Sequence, residues 1–186
     1  MQAIDLLLNR VSVPRLCEPA PSAEQRELIF RAALRVPDHG QLQPWRFLTV
    51  EGQGRDRLGQ LFVEALGRRA SAATPEALQK AARMPLRAPL LIVVIARLQD
   101  HPKVPHSEQL LAAGCAAHAM LLAAHAQGIG AVWRTGDLSY DAHVAAGLGV
   151  GPGEQIIGFL YMGTPEGRVR AAPEPATQPF VQRWGD

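Results

Sequence analysis

Apolar residues recur at helical spacing at the start of the chain. Ile4, Leu7 and Leu8 fall on one face of a helix predicted over Gln2 to Arg10. Ser22 followed by Gln25 reads as a capping box, so a second helix is predicted from Ser22, with Leu28, Ile29, Ala32 and Ala33 as its buried stripe and Pro37 as its stop. Arg46 to Glu51 reads as a strand closed by Gly52 and Gly54. Helices are predicted over Gly54 to Ala70 and Pro75 to Arg83, the second with Thr74 as its N-cap. Leu90 to Ala96 is a continuous apolar, largely β-branched run, the pattern of a central strand buried on both faces. Glu108 to Gln127 is rich in Ala and Leu almost all round, which predicts a buried or interfacial helix capped by Ser107 and stopped by Gly128. Gly130 to Trp133 and Gln155 to Met162 supply two more strands, with a short helix from Tyr140 to Gly147 between them.

Helices and strands interleave through long connections, which predicts an α+β or α/β domain with a central sheet covered by helices. No internal repeat or linker divides the chain. One domain over residues 1–186 is expected, with the Pro-rich stretch of about residues 164–186 as an extended arm. Composition supports folding: 47% hydrophobic and 19% charged residues are ordinary for a globular protein. The formal charge of +2 is spread without a basic run, so no nucleic-acid partner is indicated. Cys17 and Cys115 lie in no metal or redox spacing and read as free thiols. No run of 18 uninterrupted apolar residues and no signal peptide is evident, so no membrane partner and a cytoplasmic location are expected.

Four segments carry candidate chemistry. Arg10-Val11-Ser12, with Arg15 close behind, offers a guanidinium fork and a hydroxyl, a compact way to hold a phosphate; a solvated helix end is the plainer reading. Arg35 to Phe47 contains two prolines that fix the backbone in a loop rich in hydrogen-bonding side chains, although in isolation His39 reads as merely exposed. Gly128, Gly130 and Gly136 surround Trp133-Arg134-Thr135 and allow close backbone approach to a flat ligand or a sharp bend. No G-x-G-x-x-G fingerprint accompanies them. Ile156 to Pro165 reads by itself as a core strand ending in a turn.

In this order, the four segments resemble the FMN-dependent nitroreductase family across essentially the whole chain. Gln43-Pro44-Trp45-Arg46-Phe47 matches its Q-P-W-x-F, and the Gly128-x-Gly130 turn and closing Gly163-x-Pro165 fall where that family has them. The short chain and Pro37-Asp38-His39 loop look most like its minimal, YdjA-like bacterial branch. The resemblance implies an α+β three-layer sandwich, with a central, mainly antiparallel sheet covered by helices, in an intertwined homodimer with FMN at the subunit interface. By position it assigns Arg10, Val11 and Ser12 to the phosphate region in one subunit, and Arg35 and His39 to the same FMN from the partner. Trp133, Arg134 and Thr135 would line the isoalloxazine, with an amide near Thr135 or Gly136 directed at flavin N5. A cation such as Arg15 or Arg134 near flavin N1 and C2=O would raise its potential.

The implied activity is ping-pong hydride transfer from NADH or NADPH through FMN to a small electron-poor acceptor such as a nitroaromatic or quinone. No protein residue is assigned as a catalytic acid or base. Two departures stand out: Val11 replaces a basic residue usual in the family, and Pro37-Asp38-His39-Gly40-Gln41 replaces a Pro-Ser-x-x-Asn loop. Arg168 and Arg170 are left without an assignment. Two rival readings stay open: a specific reductase of an enone or halogenated substrate, and a flavin-binding redox sensor or storage protein without fast turnover. A metal site at His101, His106 and Glu108 lacks a ligand spacing, and Ser107 and Ser139 lack a nucleophile-elbow context. His118 and His125 are expected to face the core or an interface.

Overall fold

The computed structural model describes residues 2–69 and 73–185. Its elements in chain order are α1 (Ala3–Asn9), β1 (Leu16–Cys17), α2 (Ala23–Ala33), β2 (Trp45–Glu51), α3 (Gln53–Arg69), α4 (Pro75–Arg83), β3 (Leu90–Arg97), α5 (His106–Ala126), β4 (Gly130–Arg134), α6 (Ala142–Gly147) and β5 (Glu154–Pro165). Ala70, the expected last residue of the third helix, lies outside the described residues.

Every strand pairing is antiparallel. The order runs β1-β5-β3-β2, with β4 also on β5. The predicted central strand is the middle of this sheet. Its side chains alternate between two cores: Leu91, Val93 and Ile95 join Phe62 and Ala65 of α3, Ala81 of α4 and Val144 of α6. Leu90, Ile92, Val94 and Ala96 join Ile29 and Ala33 of α2 and the alanine face of α5. Three layers result, with α3, α4 and α6 on one face and α2 and α5 on the other, each fully buried Leu, Ile or Phe contributing about 1.5–3 kcal/mol. By length and composition α5 is apolar enough to cross a membrane, but its alanines pack closely against β3 and β5.

The Ser22 capping box forms as expected: the Gln25 amide donates to Ser22 Oγ, and the Ser22 amide donates to Gln25 Oε1 at 2.9 Å. Other expectations are corrected. Helix α5 starts at His106, not Glu108, and Ser107 does not cap it; the Pro105 carbonyl accepts the Glu108 and Gln109 amides, and buried Gln109 reaches back to Gln99 and Val104 instead. The stretch from Tyr140 splits, because Asp141 accepts the His143 and Val144 amides and starts α6 at Ala142, behind a separate 3-10 turn at Asp137–Tyr140. Leu28 is half exposed rather than part of the α2 stripe, since α5 covers only the face carrying Ile29 and Ala33. The two-residue β1 was not foreseen, being too short to show a period. Beyond Pro165 the described residues form neither helix nor strand.

An ion-pair cluster staples the sheet's end. Arg46 Nε and Nη2 donate to the two carboxylate oxygens of Glu154, both at 2.7 Å, and Nη2 also donates to the Gly149 carbonyl at 2.8 Å. The Gly151 amide donates to the same carboxylate at 3.0 Å, so β2, β5 and the turn before β5 are tied at one group. The Arg46 hydrogen bonds chiefly drive the Glu154 carboxyl down from 4.5 to about 2, against a smaller opposing effect of burial. A carboxyl depressed in the folded state contributes stability above its unfolded value and loses it as pH falls toward the folded one. Glu154→Gln is therefore expected to be less stable than wild type near neutrality, with the gap closing as pH falls from about 5 toward 2. Urea denaturation at several pH values measures it; a gap independent of pH would contradict this linkage.

Candidate functional site

The segment after α1 is extended, and its side chains alternate. Val11 and Val13 enter the core beside α3, which leaves Arg10 and Ser12 between them half-buried toward the surface. The Val13 amide donates to the Ala131 carbonyl of β4 at 2.9 Å, and the Glu166 amide donates to the Arg15 carbonyl at 3.0 Å. These two bonds place the segment beside β4 and the chain leaving β5. A cleft of about 390 Å³ opens there, lined by Ser12, Arg15, Glu166, Arg168 and Arg170 among others. Three guanidiniums against one carboxylate, with a hydroxyl alongside, suit an anionic group. Arg168 and Arg170 thus join Ser12, a juxtaposition that position in the sequence does not disclose; the signal available was two basic residues just past the Gly163-Thr164-Pro165 turn.

The β4 residues divide. Trp133 turns inward: its Nε1 donates to the Ile157 carbonyl at 3.3 Å, and its indole occupies the space a side chain at Gly158 would need. This seat exists because β5 carries an irregularity in its register with β3 between Val94 and Ile95, which skips Ile157 and leaves Gly158 opposite Val94. Arg134 lies over the Tyr161 ring, 5.5 Å from its centroid, and its buried Nε has no acceptor among the described residues. Burial pushes the Tyr161 phenol up, and the Arg134 charge opposes it. Thr135 is exposed. Gly136 follows with φ of 107° and ψ of −179°, and open space where a side chain would stand.

Arg35 and His39 sit elsewhere in the protomer. Arg35 borders a groove at the end of α2, with Leu28, Arg31 and Leu34. His39 lies on a tightly held loop. Asp38 accepts the Gln43 amide at 2.7 Å, Gln99 Nε2 donates to the Leu42 carbonyl at 2.9 Å, and Gly40, Gln41 and Gln43 all take positive φ. The Nδ1 of His39 is 2.6 Å from Glu108 Oε2 in the first turn of α5. Trp45, the most conspicuous letter of the loop, is a buried core residue, and Phe47 packs on Phe30 at 5.9 Å between ring centroids.

The nitroreductase family model matches residues 8–164, a span that runs from the segment before the cleft almost to the end of β5. The chain belongs to the nitroreductase family. The chain is 44% identical over 184 residues to the "Putative NAD(P)H nitroreductase YdjA" of Escherichia coli K12, covering 97% of this chain and 98% of the relative. In fold it is similar to a nitroreductase-like family protein of Bacillus cereus, with a TM-score of 0.83 at 21% identity over 100% of this chain and 97% of that one. It is also similar to a mutant of the nitroreductase NfnB from a Sphingopyxis strain, named FMN- and NADPH-dependent, with a TM-score of 0.79 at 17% identity and 100% coverage of both chains. The α+β sandwich with its antiparallel sheet is the architecture that these neighbours share.

The Trp133 seat yields a test. Gly158→Ala would drive a methyl group into the indole and is expected to lower stability by roughly 1–3 kcal/mol, read from the denaturation midpoint; an unchanged midpoint would show that the indole has room to move.

Proposed function

We propose that this nitroreductase is an FMN-dependent NAD(P)H oxidoreductase acting, as one domain over residues 1–186, on small electron-poor acceptors such as nitroaromatics and quinones. The observation that carries the reading is the basic cleft of Ser12, Arg15, Arg168 and Arg170, whose wall is hydrogen-bonded to the strand that ends in Arg134, its Nε without an acceptor among the described residues, and that leads into the open Gly136 backbone. These residues fit FMN: its phosphate needs charged donors, its pyrimidine carbonyls need a donor such as Arg134, and its flat ring needs unobstructed backbone. Bound FMN supplies hydride transfer through N5, from NADH or NADPH to the acceptor in a ping-pong sequence. Ser12, Arg15, Arg168 and Arg170 of the cleft, together with Arg10, hold the phosphate. Arg134 places positive charge toward the pyrimidine side, where reduction accumulates negative charge. Thr135 and the Gly136 amide bound the ring's face, and Trp133 supports them from behind through its hydrogen bond to β5. Because the Val11 side chain is in the core, the residue serves the site through its backbone, and its replacement of a basic residue is no argument for a non-turnover sensor.

The site is completed by a second copy of the chain, which brings Arg35 and His39. Supporting this dimer, α1 buries none of its residues within the protomer: Ile4, Leu7 and Leu8 are each more than half exposed. Leu28 and Leu34 of the α2 region and Leu111 of α5 are likewise about half exposed or more, an unusual apolar surface for a lone chain. Cys17 and Cys115 are free, consistent with the proposed cytoplasmic location.

Purified protein is expected to be yellow, or to become so with FMN, and to bleach on anaerobic addition of NADH or NADPH. A spectrum without flavin bands after FMN incubation would overturn the reading. His39→Ala is expected to weaken FMN binding about tenfold, the loss of one charge-assisted hydrogen bond, without unfolding the protein. Light scattering should give twice the 20.1 kDa chain mass, and Leu7→Glu with Leu8→Glu should shift the protein toward monomer and lower its FMN occupancy.

A further inference from the structure

We propose that Glu108 is a positioning residue for His39, holding the imidazole so that its Nε2 is the atom presented to the flavin of the partner subunit. The proposal rests on the flavin reading above and names a residue outside the assigned FMN set.

His39 Nδ1 and Glu108 Oε2 are 2.6 Å apart, across 69 residues of sequence. Both side chains are about half exposed, at 56% and 45%. An ion pair so exposed contributes little to stability, so holding the fold together does not account for it. What the pair does is fix a ring on a rigid base. The loop beneath it is already set by the Asp38–Gln43 and Gln99–Leu42 hydrogen bonds and by Gly40, which packs close to Val104. Helix α5 sets Glu108: the Glu108 amide bonds to the Pro105 carbonyl, and the carboxylate sits at the positive end of a 21-residue helix. Two separately anchored elements therefore meet through this side-chain contact.

The chemistry follows from which nitrogen is occupied. A neutral imidazole in water prefers its proton on Nε2, whereas a carboxylate at Nδ1 requires the proton there. Nε2 is then an acceptor for a flavin hydroxyl or N–H in the neutral ring. In the charged ring it is a donor to a flavin oxygen, with Glu108 balancing the charge. Without the carboxylate the ring rotates and the proton redistributes, so the ligand meets a mixture of tautomers and orientations.

Four proteins test this: wild type, His39→Ala, Glu108→Gln and the double variant. Each is stripped of flavin and titrated with FMN by fluorescence quenching, with thermal unfolding as a control. Glu108→Gln is expected to weaken FMN about three- to tenfold at unchanged melting temperature, and the double variant to bind no worse than His39→Ala, because the two act through one ring. Nitrogen NMR of the neutral His39 ring, which needs no flavin, should show the proton on Nδ1 in wild type and a mixture shifted toward Nε2 in Glu108→Gln. Wild-type affinity in Glu108→Gln, losses that multiply in the double variant, or an Nε2 proton in the wild type would each overturn the proposal. Failure of the wild type to bind FMN is a separate result: it overturns the flavin reading, and this assignment with it.

Discussion

The double burial of β3 constrains everything around it. From Leu90 to Ala96 no side chain reaches solvent, and successive residues feed opposite cores. A strand in that position must be paired on both edges and covered on both faces, so β2 and β5 flank it and helices lie above and below. The chain leaving β3 must then turn back over the sheet. It does so through Gln99, whose side chain reaches the Leu42 carbonyl and whose backbone is held by the buried Gln109, and enters α5 after the loop of residues 98–105. The meeting of the His39 loop with the start of α5 is thus a consequence of where β3 ends.

The same alternation sorts the candidate site. Val11, Trp45 and Trp133 are apolar residues of the motif segments, and all three turn inward. Lining the cleft are Ser12, set between two buried valines, three arginines and Glu166, among others. The proposed flavin site keeps its chemistry in the cofactor and uses the protein for charge and shape. The cleft is assembled from the segment after α1 and the chain beyond β5, beside β4, and these are joined by backbone hydrogen bonds and by the side chains of Val13, Leu16 and Pro165 packed around Gly130.

The apolar faces of α1 and α2 and the placing of Arg35 and His39 away from the cleft both fit the proposed dimer. A helix with Ile4, Leu7 and Leu8 exposed is costly in water unless another surface covers it. In the proposed dimer, a second copy of the chain supplies such a surface.

Much of the architecture was legible because it follows from local rules. The double burial of β3, the Ser22 box and the Thr74 cap each depend on residues within a turn or two of one another, and each appears in the structure, whereas α5, apolar almost all round, is buried on one side only and leaves Leu111 exposed. Arg10, Ser12, Arg134 and Thr135 could be singled out only by resemblance, since a lone arginine and hydroxyl have a solvated reading that physics favours. Tertiary structure decided the rest. It alone set the inward turn of Trp133 over the β5 irregularity, the meeting of Ser12 with Arg168 and Arg170, and the contact of Glu108 with His39. Local sequence specifies the period of a segment and hence which face is buried; a contact between residues 69 positions apart depends on strand order and register, which no local pattern encodes.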